Sequence, residues 1–287
     1  MKDYVSRFRN KIKTIRLEKI GSSKKFVDEA LQKEFIENLD LKNPSKCILE
    51  MRERLWSAYL SKEKETIYPC IREAFLSQNK PEFLKTVETQ IKNILKTCDN
   101  DSKTAYEIMI QATAIISAEA YQEIYEVSKS FTQARRSRAG QEFQNIIEIL
   151  MRLYGFDYDN QAKIGKGRFN DILGLKMVDG IFPGIDSFNF SKQNCCILTL
   201  KTSLRERWQE VVDEKQRCNI PSIYLLTLDS SLTDGMLNQM HEHNILLVTL
   251  KSVKNRFQSI SHIHSYEEFF LEILPERQKW WKKFHSS

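Results

Sequence analysis

Leu198-Thr199-Leu200-Lys201-Thr202-Ser203-Leu204-Arg205-Glu206-Arg207-Trp208 is the stretch on which the fold turns. Strand formers over 196–201 end in a lysine, three consecutive charges follow, and a helical pattern over 203–216 carries Glu210 and Glu214. The alternation then repeats downstream: a strand over 220–228, a helix over 232–243, and the buried-strand pattern NILLVTL over 244–250. Upstream, 172–182 has room for one or two strands, with Gly165 and Gly167 in the loop before them. Strand–helix–strand–helix–strand order predicts parallel pairing through right-handed crossovers. Two helices, around 266–274 and 276–284, close the chain. The expected class is α/β: a mixed sheet flanked by helices, preceded by a helical N-terminal region.

That N-terminal region shows no strand pattern. Phe8, Ile12 and Ile15, then Phe26, Ala30, Leu31 and Phe35, recur at helical spacing. Asn43-Pro44 reads as a cap with proline at the first helical position, and Lys80-Pro81 opens another helix. A long apolar helix is expected over 106–127. Gln133 to Gly140 is basic and small, with a helix carrying Phe143, Ile146, Ile147 and Leu150 after it. The expected division is a helical region 1–130 and an α/β core 131–287, forming one compact unit.

Bulk properties bound the function class. The chain has 287 residues, 41% hydrophobic and 29% charged, with a formal charge of +6. This mild basicity fits a nucleic-acid partner without requiring one. The six cysteines, including adjacent Cys195 and Cys196, form no CxxC pair and read as reduced thiols in a cytoplasmic protein. No apolar run reaches the ~20 residues of a membrane span, and no signal-peptide core is present. His241 and His243 flank Glu242, and His262 and His264 flank Ile263, but neither pair has a zinc ligand set, so both read as surface or loop residues.

Phosphodiester hydrolysis calls for a divalent cation, an activated water and stabilisation of the leaving oxygen. Asp179 in Val178-Asp179-Gly180-Ile181-Phe182-Pro183, Lys201 at a strand end and Glu214 on the following helix can supply these. Asp179, Glu214 and the Leu200 carbonyl form a hard-oxygen set for Mg²⁺, with Asp171 the next acid in line, while Lys201 orients or polarises the water. The competing readings are a turn residue for Asp179, a solvated strand end for Lys201 and a helix-surface charge for Glu214. The residues beside them decide between these. Arginine can bond guanine O6 and N7 bidentately, and glutamate accepts from cytosine N4. Three consecutive helical residues fan out by roughly 100° each, so Arg205, Glu206 and Arg207 suit a helix end entering a groove rather than one solvated face. Trp208, Val211 and Val212 form the stripe that would dock that helix.

Taken in order, these pieces resemble the restriction endonucleases of the EcoRII, SsoII, PspGI and NgoMIV group. Ser137-Arg138-Ala139-Gly140 is similar to its basic SRAG segment, Asp179 to Pro183 to its metal-binding aspartate, and Thr199-Leu200-Lys201 to its [ST]-x-K signature. Glu214 matches the group's relocated acid, and Arg205 to Trp208 its recognition cluster. The resemblance covers about residues 133–250. It implies a PD-(D/E)XK-type fold, Mg²⁺ dependence, and a homodimer or higher oligomer cutting double-stranded DNA at a CCGG or CCNGG core to leave 5′ overhangs. A cognate DNA methyltransferase would be the functional partner. It further implies that Gln133 contacts the central pair from the minor groove and that Arg52 and Trp56, four residues apart, sandwich a flipped base. Arg135, Arg136 and Arg138 would contact phosphates or brace the dimer. Where the group often has a glutamate four residues after the SRAG glycine, this chain has Gln144, placed here with the catalytic set, and Glu142 and Glu148 lie nearby. Two other readings stand beside it: a structure-selective repair nuclease on the same core, and a non-catalytic sequence-specific DNA-binding protein.

Overall fold

Residues 2–77, 81–97, 102–165, 167, 178–204, 207–218 and 220–285 are described by a computed structural model of the chain. By internal contacts the chain divides into two units, Met1–Phe26 with Trp56–Arg138, and Val27–Leu55 with Ala139–Ser287. The sequence expectation placed its single division at 130/131.

The first unit is helical. It contains α1 (Lys2–Ile20), part of α4 (Pro44–Leu76), α5 (Pro81–Thr97), α6 (Ser102–Glu119) and the first half of α7 (Tyr121–Leu153); two short helices, α2 (Ser23–Ala30) and α3 (Lys33–Glu37), lie between α1 and α4 in the chain. Phe8 and Ile12 of α1 pack with Cys70 and Ala74 of α4 and Val127 and Phe131 of α7. The expected 106–127 helix is instead two helices that break at Ala120, and the basic 133–140 segment is the middle of α7 rather than its prelude. Gly140 is exposed, with open space around it, and α7 runs through it. One glycine costs a helix only about 1 kcal/mol, less than the burial of Phe143, Ile146, Ile147 and Leu150 just beyond returns.

The second unit is built on a six-stranded sheet. Its strands are β1 (Asp159–Asn160), β2 (Gly180–Phe182), β3 (Cys196–Lys201), β4 (Ile223–Thr227), β5 (Ile245–Thr249) and β6 (Ile263–Ser265), in that spatial order. β1–β2 and β2–β3 are antiparallel; β3–β4, β4–β5 and β5–β6 are parallel. The sheet is therefore mixed; short helices α8 (Gln161–Ile164) and α9 (Ile185–Phe190) follow β1 and β2, and helices lie between the parallel strands, α10 (Arg207–Cys218) after β3 and α11 (Asp234–Glu242) after β4. Every residue of β4 is buried, the continuous apolar run expected of a parallel strand covered on both faces. β1 and β6 are too short to leave a periodic signature, which is why the sequence did not announce them. After β6, the chain passes through Tyr266–Glu268 and a π-helical turn, Phe269–Ile273, into a last helix, Leu274–His285.

Cys47, Cys70, Cys195 and Cys196 are free and buried. Burial pushes the Cys196 thiol up to about 12, so it is inert packing at neutral pH. His262 corrects the surface reading: it is buried, its ring stacks on His241 with centroids 4.6 Å apart, and its Nε2 lies 2.9 Å from the Leu237 carbonyl oxygen. No helix among the described residues is long and apolar enough to cross a membrane.

Candidate active site

The acid and the lysine come together where antiparallel β2 begins and β3 ends. Asp179 immediately precedes β2, and its backbone N–H donates to the Leu198 carbonyl at 2.8 Å. Its carboxylate Oδ2 accepts from the Leu200 N–H at 2.7 Å. Backbone and side chain thus clamp Asp179 to β3, one residue from Lys201. Lys201 ends β3 and is only 6% exposed, which sets aside the solvated-strand-end reading. Strand alternation puts it on the same side as Thr199, itself fully buried. An ammonium that far from water needs polar company, and Lys201 and Asp179 each have interactions beyond those given above. No group of three or more His, Cys, Asp or Glu side chains arranged to hold a metal occurs among the described residues. Glu214 lies on α10 with its side chain outside the described residues, as does Asp171 entirely.

A polar bridge joins α7 to this corner. Gln144 Nε2 donates to Glu148 Oε1 at 3.3 Å, and Asn160 Nδ2 donates to the same oxygen at 3.2 Å and to the Tyr158 hydroxyl oxygen at 3.1 Å. Asn160 pairs with Gly180 across β1–β2, placing the bridge beside Asp179. Burial first, then the charge of Glu148, raise the Tyr158 phenol well above its ordinary range; the Asn160 hydrogen bond opposes them, and the charge of Asp179 adds a weaker push upward. Gln144, expected at the place of an acid, therefore holds one. Tyr158 and Asn160 escaped the sequence reading because a two-residue strand carries no pattern.

Only the last residue of the charged triplet falls among the described residues, at the head of a helix. Arg207 is the first residue of α10; Arg205 and Glu206 lie outside the described residues, as does the Arg207 side chain. Ser203 and Leu204 are not helical, so the helix begins after them rather than at the expected 203. Trp208, Val211 and Val212 are buried as the stripe predicts. Leu204, directly before the triplet, is buried and gives its N–H to Asp229 Oδ2 at 2.8 Å. Asp229 Oδ1 accepts from Ser231 N–H at 2.8 Å. This loop acid beyond β4 pins the approach to the triplet, and only the parallel pairing of β3 with β4 brings it there.

In the helical unit, Gln133 is exposed on α7 and lines a recess of about 400 Å³ with Arg9, Lys13, Arg16 and Lys129. Arg135 forms a bidentate pair with Glu63, which is 2% exposed and also accepts from the Tyr59 hydroxyl at 2.9 Å. Arg138 donates to the Gly21 carbonyl at 2.9 Å and lies over the rings of Phe26 and Tyr59. Arg136 is exposed. Arg52 and Trp56 are both exposed on α4, and the Trp56 indole stacks against Tyr59 with centroids 5.9 Å apart.

With this geometry in hand, comparison with known proteins places the chain. Residues 103–269, more than half of its length, match the family model described as EcoRII C terminal. The chain belongs to this family. It is 32% identical over 241 residues to the type II restriction enzyme SsoII of Shigella sonnei, covering 84% of this chain and 71% of that one. It is 24% identical over 138 residues to the type II restriction enzyme EcoRII of Escherichia coli, covering 47% of this chain and 32% of that one. Among solved structures, metal-depleted Ecl18kI in complex with uncleaved DNA superposes with a TM-score of 0.75 at 28% identity, over 96% of this chain and 86% of that one. The restriction endonuclease PspGI–substrate DNA complex superposes at 0.60 and 18% identity, over 92% and 96%, a likeness of fold. The chain is thus an EcoRII-C-type restriction endonuclease, a type II site-specific deoxyribonuclease. That membership sets aside the non-catalytic and structure-selective alternatives.

Proposed function

We propose that this restriction endonuclease hydrolyses double-stranded DNA in a Mg²⁺-dependent reaction at a palindromic site with a CCNGG or CCGG core, leaving 5′ overhangs. The observation that carries the reading is the Asp179 carboxylate bonded to the Leu200 N–H beside a buried Lys201. A carboxylate next to a strand-end carbonyl is a hard, oxygen-only donor set, the kind that Mg²⁺ takes. Asp179, the Leu200 carbonyl and Glu214 would hold it. Bound there, the cation would neutralise the phosphate charge that builds as the bond breaks. Lys201 orients the attacking water, and the low dielectric around a buried lysine strengthens its pull on the phosphate. Gln144 acts through Glu148.

Base reading falls to Arg205, Glu206 and Arg207, each arginine taking guanine O6 and N7 and the glutamate a cytosine N4. Support comes from Arg207, the first described residue of α10, and from Leu204 directly before the triplet, whose N–H Asp229 holds. Gln133 reaches the central pair from the minor groove, and Arg52 with Trp56 receives a flipped base. Arg136, and any part of Arg135 and Arg138 that their own partners leave accessible, contacts phosphates. The working form is a homodimer or a higher oligomer, since a palindrome presents two equal half-sites. It acts in the cytoplasm beside a cognate DNA methyltransferase. Incubating plasmid DNA with the enzyme and Mg²⁺ and sequencing the product ends tests the proposal. Discrete ends at one palindrome with 5′ overhangs are expected. Cleavage undiminished by a chelator would remove the metal, and ends at unrelated sequences would remove the recognition assignment.

A further inference from the structure

We propose that Tyr158 is a positioning residue that sets the aim of Asp179, with Asn160 and Glu148 as its latch; this rests on the cation-dependent reading above. Asp179 sits at the mouth of a strand only three residues long. It is held by its two hydrogen bonds to β3. The Tyr158 ring lies flush on Gly180, the next residue. A Cβ at position 180 would lie 2.8 Å from Tyr158 Cε2 and 3.0 Å from Cδ2, closer than side-chain atoms approach. Gly180 is therefore a glycine because the ring occupies the space, and the ring in turn fixes how far the start of β2 can lift from β3.

The ring itself is locked. Its hydroxyl accepts from Asn160 Nδ2, while Asn160 Oδ1 accepts from the Lys163 N–H at 2.8 Å and so cannot rotate its amide without losing a helix cap. The amide's second contact, to Glu148 on α7, anchors the assembly to that helix, and Gln144 braces Glu148 one turn earlier. Movement of α7 or β1 would thus be transmitted to Asp179 through one aromatic wedge. Groups that orient a metal-binding side chain without touching the metal typically change its affinity about 10–100-fold when removed.

The test measures Mn²⁺ binding by electron paramagnetic resonance, using the full chain with a site-containing duplex whose scissile linkage is non-hydrolysable. Affinity for the same duplex without metal is measured alongside. Tyr158→Leu is expected to weaken Mn²⁺ binding about 10-fold, Tyr158→Phe, which keeps the ring, to recover most of that, and Gly180→Ala to resemble the leucine variant. Metal-free duplex affinity should stay within about twofold of wild type in all three. Unchanged Mn²⁺ binding in both Tyr158→Leu and Gly180→Ala overturns the inference. So does an equal loss of metal-free duplex affinity, which marks a general folding defect. A wild-type enzyme that neither binds Mn²⁺ nor cuts with Mg²⁺ would instead overturn the cation reading on which this one rests.

Discussion

The β2–β3 corner and the basic middle of α7 both concentrate charge, but they use it in opposite ways. At the corner, Asp179 and Lys201 are placed by strand pairing and strand ends, so their neighbours in space are fixed by short-range geometry. On α7, Arg135 and Arg138 are engaged by groups far away in sequence: Glu63 on α4 and the Gly21 carbonyl. A charge held by the backbone of its own sheet announces its role locally. A charge satisfied by a distant partner looks the same in sequence as one waiting for a phosphate.

The sharpest way to break this contrast is at the corner. Lys201→Ala should lower the single-turnover cleavage rate by about 10²–10⁴-fold, the range for removing a group that positions or activates the attacking water. Binding of the site duplex without metal should change little. A plasmid-cleavage time course checks it, and a rate within tenfold of wild type would return Lys201 to the status of a buried structural cation. Asp179→Asn comes next, since it keeps an oxygen for the Leu200 N–H but loses the charge. Cleavage should fall by a similar order with the melting temperature nearly unchanged, and retained cleavage would move the metal-binding acid elsewhere.

Asp229 carries the comparison to recognition. Asp229→Ala frees the Leu204 N–H in a buried setting and loosens the approach to Arg205. A misplacement of about 1 Å can cost on the order of 10²-fold when geometry is strict, so discrimination between the site and a one-base-pair variant should drop by at least about tenfold. Competition binding with the two duplexes measures it, and unchanged discrimination would mean that the triplet is held from elsewhere.

The parts legible in sequence share one physical property. Apolar runs long enough to form β3, β4 and β5 also marked the strand ends, and with them the place of Lys201. The stripe Trp208, Val211 and Val212 was legible because 3.6-residue periodicity survives in any helix docked on a sheet. Tyr158, Asn160 and Asp229 were not legible: each acts through a contact that exists only after distant segments pair, on elements of two residues or in a loop. The continuity of α7 through 133–140 was hidden for a related reason. Small and basic residues resemble a linker until a helix on either side of them proves strong enough to run through.

On the α7 side the expected effects are on stability. Arg135→Ala strands the buried Glu63 carboxylate with the Tyr59 hydroxyl. Breaking a fully buried pair costs about 3–5 kcal/mol, but the Arg135 side chain is 47% exposed, and solvent screening brings the expectation to about 2 kcal/mol. Glu63→Gln should cost less, about 1 kcal/mol, because the guanidinium it leaves behind can turn to water. Urea denaturation measures both. Equal costs would show that the buried member of the pair is not the one that matters.

The smallest expected effect belongs to Arg136, and it separates the two kinds of arginine most cleanly. Arg136 is exposed between two arginines that are committed inward. Arg136→Ala should therefore leave the urea midpoint within about 0.5 kcal/mol of wild type, as expected for a surface position. If it contacts a phosphate, it should weaken duplex binding uniformly across sequences and reduce the slope of log K against log salt by about 1. Arg135→Ala should do the reverse, lowering stability while leaving that slope nearly intact. A titration of duplex affinity from low to moderate salt, run on both variants beside their urea curves, decides the matter. Equal salt slopes in the two would mean that the Glu63 pair opens when DNA binds and that Arg135 serves the phosphates after all.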